Sequence, residues 1–263
     1  MEQPLKNKIA LVAGATGGIG QATAKRLAED GAMVMAAGRS ETKLRDVATF
    51  NDNITTQVAD VAKERDVAAL VMSALEKFGR LDIVFNGAGI TGDSALMEYQ
   101  TIENFQTVMN INVTGTFLVL KHTIPALRHS GGGSIINIGS AASVQAARDT
   151  MPVYCASKHA VVGLTRVMAK SYGRENIRTN VICPGQIDTE MVTVVEQAMI
   201  DPSVTEPTQQ DIEVAREKVL ASIPVGRYGT VDEVAAVVAF LSRDEASFIN
   251  GSIYTIDGGL TPT

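Results

Sequence analysis

Runs of apolar, largely β-branched residues alternate with amphipathic stretches along the 263 residues of the chain. The apolar runs predict strands, and stretches with apolar residues three and four positions apart predict helices. Strands this apolar, separated by helices, indicate a parallel α/β sheet covered by helices on both faces. The predicted strands are residues 8–13, 33–37, 54–58, 81–85, 134–138, 178–182 and 252–256. The predicted helices are residues 19–29, 41–48, 63–78, 101–128 and 153–172. A last predicted helix begins with a capping box at residues 230–233 and ends at residue 241.

The segment 186–224 is where this alternation breaks down. It contains prolines amid polar residues and a short helical pattern at residues 211–220. Long insertions in compact folds are usually lids, binding loops or disordered segments, and this one is predicted to be a lid that closes over the substrate. Since no repeat, low-complexity tract or linker divides the chain, residues 1–263 are predicted to form a single domain.

The composition excludes several classes of protein. Apolar residues make up 45% of the chain and charged residues 20%, which is typical of a globular protein and not of a disordered one. The net charge of −6 argues against nucleic acid and anionic membranes as main partners. No run approaches the ~20 apolar residues of a membrane span, and the first residues lack the apolar core of a signal peptide.

The positions of cysteine and histidine argue against a metal site and against a redox-active cysteine pair. Cys155 and Cys183 are the only cysteines, and they lack the spacing of a metal or redox motif, as do His122, His129 and His159. We therefore expect a reduced, cytoplasmic protein without a metal ion.

A glycine-rich turn follows the first predicted strand. Gly14, Gly18 and Gly20 form the pattern G-x-x-x-G-x-G directly before a predicted helix. Such glycines let the backbone approach a pyrophosphate at the helix N-terminus, where free N–H groups attract anions. Glycine clusters more often make plain turns, so the prediction of a dinucleotide site depends on the position of this cluster between a strand and a helix.

Tyr154 and Lys158 share one face of a predicted helix, because they are four residues apart. A phenol ordinarily titrates near pH ~10, and an ammonium one turn away lowers that pKa by favouring the phenolate. A nearby hydroxyl, that of Ser140, can hold a carbonyl oxygen while the phenol delivers or takes a proton. Taken alone, such a pair is usually a solvated helix face, and Ser140 could be a strand-end turn residue.

Taken in order, the motifs of residues 8–259 resemble those of the short-chain dehydrogenase/reductase family. The resemblance implies a doubly wound, three-layer, Rossmann-like domain and a nicotinamide-dependent oxidoreductase acting on a ketone or a secondary alcohol. Ala13 stands where the family usually has threonine and Gly87 where it has a second asparagine, but neither is a reacting group. The resemblance rests on the glycine turn, the pair Tyr154 and Lys158, Ser140, Asp60-Val61, the segment Asn86-Gly87-Ala88-Gly89, Asn112, the segment 184–189 and the ending Ile256-Asp257-Gly258-Gly259.

The resemblance also implies a role for each residue of a catalytic tetrad. Tyr154 is the general acid in reduction and the base in oxidation, while Lys158 lowers its pKa and holds the nicotinamide ribose. Ser140 positions the substrate oxygen, and Asn112 holds a water that links Lys158 to solvent. Asn112 could instead simply bond a neighbouring backbone carbonyl.

The implied cofactor site divides into three parts. Asp60 and Val61 contact the adenine, although Asp60 could instead cap the following helix. Asn86, Ala88 and Gly89 contact the adenine-side ribose, and Ile187 and Thr189 contact the nicotinamide end. The full set of implied cofactor-binding residues is Gly14, Thr16, Gly18, Ile19, Gly20, Gly38, Arg39, Ser40, Asp60, Val61, Asn86, Ala88, Gly89, Tyr154, Lys158, Pro184, Gly185, Ile187 and Thr189.

The residues after the second strand predict the choice of cofactor. In the family that the chain resembles, an acidic residue that binds the adenosine ribose hydroxyls sits where this chain has Gly38. Gly38 removes the repulsion of a 2′-phosphate and is expected to leave room for it, while Arg39 offers a fork of donors and Ser40 a hydroxyl. Arg39 could instead be a solvated loop residue and Ser40 only a helix cap. The sequence favours NADP(H), with NAD(H) as the alternative.

Two alternative functions stay open. The first is reduction of a 3-oxoacyl thioester on an acidic carrier protein, for which Arg128, His129 and Lys170 are a sparse basic patch that could equally be ordinary surface charge. The second is a catalytically idle dinucleotide-binding sensor, which has no need of Tyr154 together with Lys158.

The helical stretches 112–127 and 153–168 are apolar on more than one face. A helix that is apolar all round is buried all round, so one side covers the sheet and the other needs a partner. The resemblance points in the same direction, to a homotetramer with two-fold axes. The other expected partner is a small carbonyl or alcohol substrate.

Overall fold

Seven strands form one parallel sheet in the computed structural model, which describes residues 3–146, 148–197, 200 and 208–261. The strands are β1 Ile9–Ala13, β2 Met33–Gly38, β3 Ile54–Val58, β4 Ile83–Asn86, β5 Gly133–Ile138, β6 Ile177–Pro184 and β7 Ile253–Ile256. They lie in the order β3-β2-β1-β4-β5-β6-β7, and every neighbouring pair is parallel. The chain reverses its direction of winding between β1 and β4, and the carboxyl ends of strands at such a reversal form a ligand-binding crevice.

Helices cover both faces of this sheet. They are α1 Gly18–Glu29, α2 Glu41–Ala48, α3 Glu64–Phe78, α4 Ile102–Met109, α5 Gly115–His129, α6 Pro152–Tyr172, α7 Glu190–Gln197, α8 Gln209–Ala221 and α9 Val231–Ser242. On one face, α1 and α9 pack with β1, β4 and β5 in a buried cluster that includes Leu27, Val238 and Phe85. On the other face, residues of α3 and α5 such as Leu70 and Val119 pack against the same strands. The predicted three-layer, doubly wound fold is confirmed.

Local capping signals begin the helices where the sequence predicts. The Ser40 hydroxyl accepts a hydrogen bond from Lys43 N at 3.3 Å and so begins α2. Thr230 and Glu233 form the predicted capping box at the start of α9, with Glu233 N donating to Thr230 Oγ1 at 3.1 Å and Thr230 N donating to Glu233 Oε2 at 2.8 Å. These bonds satisfy backbone N–H groups that would otherwise lack partners.

The predicted helical stretch over residues 101–128 is confirmed, but it contains a π-helical turn that the sequence does not predict. α4 ends at Met109, and Asn110–Thr114 form a π-helical turn before α5 begins. The apolar stripe continues through this turn, so periodicity alone does not reveal the wider winding. Within the turn, the Asn112 carbonyl accepts a hydrogen bond from the Thr116 hydroxyl at 2.7 Å. Single π turns of this kind are frequent at functional sites.

The segment 186–224 contains more helix than the sequence predicts. α7 is unforeseen, and α8 extends the predicted helix 211–220 at both ends. Residues 201–207 of the predicted lid, with Pro202 and Pro207, lie outside the described residues. Among the described helices, none is both long and apolar enough to cross a membrane.

Candidate active site

A cavity of about 770 Å³ opens at the carboxyl edge of the sheet. Its wall is built from residues that directly follow β1, β4, β5 and β6, and from the first turns of α1, α6 and α7. Of the residues predicted to bind cofactor or substrate, twelve line it: Gly14, Gly18, Ile19, Gly20, Gly89, Ser140, Tyr154, Lys158, Pro184, Gly185, Ile187 and Thr189.

The glycine turn between β1 and α1 requires its glycines. Gly14 has a φ of +84°, and a Cβ there would lie 2.6 Å from Ala88 N, in the turn that follows β4. A Cβ on Gly20 would lie 2.1 Å from the carbonyl oxygen of Gly14. No side chain of the described residues caps α1 at Gly17, so the N–H groups of its first turn face the cavity without a side-chain acceptor. A backbone cradle of this kind fits the pyrophosphate of a dinucleotide.

Tyr154, Lys158 and Ser140 meet at one end of the cavity. Tyr154 and Lys158 lie on the first two turns of α6, and Lys158 Nζ is 5.6 Å from the centroid of the Tyr154 ring. Lys158 Nζ also donates to the carbonyl of Ile138 at 3.1 Å, which anchors it to the end of β5. Ser140 begins a short 3-10 turn at Ala141–Ser143, and its hydroxyl accepts from Ala142 N at 3.2 Å. Ser140 is therefore both a turn residue and a neighbour of Tyr154, since its side chain lies close enough to favour the phenolate.

Burial controls the titration of this group. It raises the pKa of the Tyr154 phenol, and the Ser140 side chain nearby opposes that shift only in part. Burial also lowers the pKa of Lys158 from 10.5 to about 8. The expected lowering of the Tyr154 pKa is not found, because the loss of water around the phenolate, together with the charge of Cys183, outweighs the effect of the Ser140 side chain. Tyr154 therefore holds its proton at neutral pH.

Asn112 is buried behind the cavity wall, and its side-chain amide is committed to protein groups. Its Nδ2 donates to the carbonyl of Ile90 at 2.9 Å and to Ser157 Oγ at 3.0 Å, and its Oδ1 accepts from Ile90 N at 2.9 Å. A Cβ on Gly89 would lie 3.1 Å from Lys158 Nζ and 3.3 Å from Asn112 Oδ1. Asn112 thus holds the turn after β4 close to Lys158. Its bond to the Ile90 carbonyl is the one that the alternative interpretation predicts, in which Asn112 bonds a backbone carbonyl.

A family model described as an enoyl-(acyl carrier protein) reductase matches residues 14–261. The chain is 39% identical to levodione reductase of Leifsonia aquatica, over 96% of this chain and 94% of that protein. It is 34% identical to 3-oxoacyl-[acyl-carrier-protein] reductase FabG of Thermotoga maritima, over 97% of this chain and 98% of that protein. A crystal structure of levodione reductase superposes with a TM-score of 0.88 at 38% identity, covering 97% of this chain and 98% of that chain.

The chain belongs to the short-chain dehydrogenase/reductase family. One of its departures from the family pattern has a local structural explanation. A Cβ on Gly87 would lie 2.3 Å from the ring of Phe85, which is fully buried beneath the sheet edge. An asparagine at position 87 would therefore require this ring to move.

At the end of β2, Gly38 packs closely against Thr16 of the glycine turn. Gly38 is buried, and a Cβ there would lie 2.6 Å from Thr16 Cγ2 and 2.7 Å from Thr16 Oγ1. Arg39 is exposed next to it, and Ser40 caps α2, so the cap that the sequence predicts is present. The space in which a side chain at position 38 would lie is thus filled by Thr16.

The other predicted cofactor residues lie outside the cavity wall. Asp60 borders a separate depression of about 550 Å³, and its Oδ1 accepts from Ala62 N at 3.1 Å, so it shapes the turn before α3 and does not cap that helix. Asn86 is buried, and its Nδ2 donates to Asn137 Oδ1 at 3.3 Å. Its side chain therefore joins β4 to β5. The predicted residues absent from the cavity wall are Thr16, Gly38, Arg39, Ser40, Asp60, Val61, Asn86, Ala88 and Asn112.

Residues of α7 that the sequence analysis missed also line the cavity. Glu190, Met191 and Val192 face it from the first turn of that helix. Lys43 of α2 forms an ion pair with Glu190 across the cleft, with Nζ 2.9 Å from Oε1 and 3.1 Å from Oε2. The signal that could have located α7 is the apolar run after Thr189 with an acidic residue in its first turn.

The basic patch considered for a carrier protein does not line the cavity. Arg128 lies in the last turn of α5, near the amino end of β5 and so away from the carboxyl edge of the sheet. Its guanidinium forms a two-pronged ion pair with Glu175, which neutralises it. His129 and Lys170 are exposed and are likewise absent from the cavity wall.

Proposed function

We propose that this protein transfers a hydride between a nicotinamide cofactor and a ketone or secondary alcohol, with Tyr154 as the general acid or base. The observation that carries the proposal is the meeting of Tyr154, Lys158 and Ser140 in the same cavity that the glycine turn enters. A sensor that only binds a dinucleotide has no use for a phenol, an ammonium and a hydroxyl buried together.

The protein side of the reaction is a proton transfer at Tyr154 Oη. In reduction, the Ser140 hydroxyl and the phenol together hold the substrate oxygen, and the phenol gives its proton to that oxygen. The raised pKa of Tyr154 keeps the phenol protonated but makes it a weaker acid, so the proton transfer depends on stabilisation of the phenolate. Lys158, with a pKa of about 8, is largely protonated at neutral pH and stabilises the phenolate that remains.

A nicotinamide dinucleotide supplies the hydride when bound, and the residues present fit such a group. The cradle at Gly14–Gly20 takes the pyrophosphate, Lys158 holds the nicotinamide ribose, and Ile187 and Thr189 contact the nicotinamide end. A side chain at Gly18 would lie 2.9 Å from Thr189 Cγ2, so the glycine turn and the segment after β6 face each other closely. The protein therefore orients the reactants and excludes water between these two walls.

We favour NADP(H) as the cofactor, bound through Arg39 and Ser40. A charge-assisted hydrogen bond contributes about 1.5–3 kcal/mol, which corresponds to about 10- to 150-fold in affinity. Arg39→Gln is expected to weaken NADPH binding by that factor and to leave NADH binding nearly unchanged, measured by dihydronicotinamide fluorescence. Equal losses for the two cofactors contradict the preference.

Reversal of the preference needs three changes. Gly38→Asp supplies the acidic residue, Arg39→Leu removes the phosphate ligand, and Thr16→Ala removes the two closest atoms that a Cβ at position 38 would meet. The two-residue change without Thr16→Ala is expected to bind both cofactors poorly, because the new side chain collides with Thr16.

The reaction itself is tested by a screen at the nicotinamide absorbance band. Ketones, secondary alcohols and acyl thioesters are each offered with NADP(H) and with NAD(H). Turnover of ketones or alcohols supports the proposal. Tight cofactor binding without turnover of any member favours the idle sensor.

Reduction of a 3-oxoacyl thioester on a carrier protein is the second candidate. Its support is the similarity to FabG of Thermotoga maritima and the description of the matching family model. The pairing of Arg128 with Glu175 and the position of the patch away from the cavity argue against it. Faster turnover of the acyl-carrier-protein thioester than of free ketones in the same screen would favour this candidate.

We further propose that the protein is a cytoplasmic homotetramer with a lid over residues 186–224. Both cysteines, Cys155 and Cys183, are free thiols, as is usual in a reducing compartment. Phe117 on α5 and Val167 on α6 expose about half of their surface, which is the expected appearance of a helix face that a second copy covers. α7 supports the lid proposal because it already forms part of the cavity wall.

A further inference from the structure

Arg148 lines the catalytic cavity, together with Ser140 and Tyr154. It is partly buried, and this burial lowers the pKa of the guanidinium, while the charge of Asp149 acts in the opposite direction. An arginine remains protonated under any condition in which proteins work. The mechanism proposed above gives this buried positive charge no task.

No carboxylate among the described residues lies within ion-pair distance of the Arg148 side chain, and desolvation and the charge of Asp149 alone affect its titration. The cavity wall contains two acidic residues. Glu190 is already paired with Lys43, and Asp149 is exposed. By contrast, Arg128 and Arg227 on the outer surface each form a two-pronged pair with a glutamate. Arg148 is thus a partly buried cation whose fork of donors is available to a ligand.

The backbone holds Arg148 at a defined position relative to the reacting group. Met151 N donates to the Arg148 carbonyl at 2.9 Å, and Ala95 N donates to the Thr150 carbonyl at 2.9 Å. The turn leads directly into Pro152, the first residue of α6, which carries Tyr154 two residues later. Among the described residues no side chain caps this end of α6, so the partial positive charge of the helix adds to that of Arg148.

We infer that Arg148 binds an anionic substituent of the substrate, so that the natural substrate class is a small ketone or secondary alcohol bearing a carboxylate or a similar oxyanion. This inference rests on the proposed function for the carbonyl chemistry. A planar carboxylate can accept two parallel hydrogen bonds from a guanidinium, which gives orientation as well as affinity. Because the anion lies away from the reacting carbonyl, its main effect is expected on KM.

A matched pair of ketones tests the inference. The wild-type protein is assayed with 4-oxocyclohexanecarboxylate and with its methyl ester, which has the same ring and carbonyl but no charge. The carboxylate is expected to have a kcat/KM at least tenfold higher, mostly through KM. Arg148→Gln is expected to reduce that ratio to about one, and Arg148→Lys to leave an intermediate ratio, because lysine keeps the charge without the planar fork.

Arg174→Gln is the control, since Arg174 is exposed near the amino end of β6, at the opposite edge of the sheet. It is expected to leave the carboxylate-to-ester ratio unchanged. A ratio near one in the wild-type protein, or an equal loss for both ketones in Arg148→Gln, overturns the inference.

A binding measurement separates this inference from the proposed reaction. Cyclohexanecarboxylate has no carbonyl to reduce, and its affinity is measured by isothermal titration calorimetry against the wild-type protein and Arg148→Gln. Weaker binding by tenfold or more in the variant supports the anion site even if neither ketone is turned over. Equal binding contradicts the anion site even if both ketones are reduced.

Discussion

Tyr154 and Lys158 are both buried, and in each case burial favours the uncharged form. For Tyr154 this keeps the proton available for transfer, and for Lys158 it brings the pKa close to neutrality. The residues that carry the chemistry therefore occupy an environment that destabilises their charges. Two predictions follow at these positions, one on turnover and one on stability.

Tyr154→Phe is expected to reduce kcat by about 10²–10⁴-fold, because the ring remains and only the transferable proton is lost. Cofactor affinity is expected to change little, as measured by dihydronicotinamide fluorescence. Tyr99→Phe, at an exposed tyrosine outside the cavity, is the control and should keep normal turnover. Near-normal activity of Tyr154→Phe would refute the assigned mechanism.

Lys158→Met is expected to abolish activity and yet to stabilise the protein below pH 8. The folded pKa is about 8 against 10.5 for an ordinary lysine, so at pH 7 the wild-type protein carries a buried charge that costs up to about 3 kcal/mol. Loss of the hydrogen bond to the Ile138 carbonyl offsets about 1 kcal/mol of that gain.

The stabilisation that Lys158→Met is expected to give depends on pH. Between pH 8 and 10.5 the unfolded wild-type chain binds a proton at Lys158 that the folded chain has released, so the wild-type free energy of unfolding rises with pH. The advantage of Lys158→Met should thus be greatest at pH 7 and shrink toward pH 10. Denaturant unfolding at both values checks it, and an advantage that grows with pH would contradict it.

Among the elements, α7 is held over the cavity by contacts at both of its ends. Glu190 at its start is paired with Lys43 of α2. Near its end, the Tyr228 hydroxyl donates to Glu196 Oε1 at 2.7 Å, and both side chains are buried. The Lys43–Glu190 pair is exposed and contributes little to the stability of α7. The Tyr228–Glu196 pair is buried, and its loss leaves the Glu196 carboxylate without this donor. The Tyr228–Glu196 bond is therefore the stronger attachment.

Tyr228→Phe is expected to loosen α7, at a cost of about 1–3 kcal/mol in the local free energy of opening. Hydrogen exchange in residues 190–197 should accelerate by about tenfold or more, and limited proteolysis should cut the segment 186–224 faster. Cofactor and substrate together should slow both processes. Tyr254→Phe on β7 is the control, and equal exchange in the two variants would contradict the role of the bond.

For the whole molecule, the exposed apolar faces of α5 and α6 predict association. Phe117 and Val167 are 49% and 56% exposed, although both lie on helices whose other faces pack on the sheet. Phe117→Glu or Val167→Glu is expected to convert a tetramer into smaller species, because a carboxylate is then buried without a partner. Light scattering at micromolar concentration measures the mass.

Met72→Glu provides the control for this experiment, since Met72 is similarly exposed on α3. It should leave the mass unchanged. A monomeric wild-type protein under the same conditions would refute the assembly outright.

Local sequence signals account for most of the element order. The strand β3 at Ile54–Val58 and the helix α2 at Glu41–Ala48 have the predicted bounds, because a period of two or 3.6 residues and a capping side chain are properties of a short segment. The π turn at Asn110–Thr114 and the helix α7 were not foreseen. The π turn depends on contacts with distant residues, such as the bond of Asn112 to Ser157, which periodicity does not contain, whereas α7 has a local signal in the apolar run after Thr189.

The same division applies to the site. Residue types and their spacing identified the glycine turn, Ser140, Tyr154 and Lys158, since each follows a strand or begins a helix at the carboxyl edge of the sheet. Only the tertiary structure decided that Thr16 fills the space beside Gly38, that Asn112 bonds Ile90, and that Tyr154 has a raised pKa. Each of these depends on which atoms surround a group and how much water they exclude, and folding brings those atoms together from segments that are far apart in the chain.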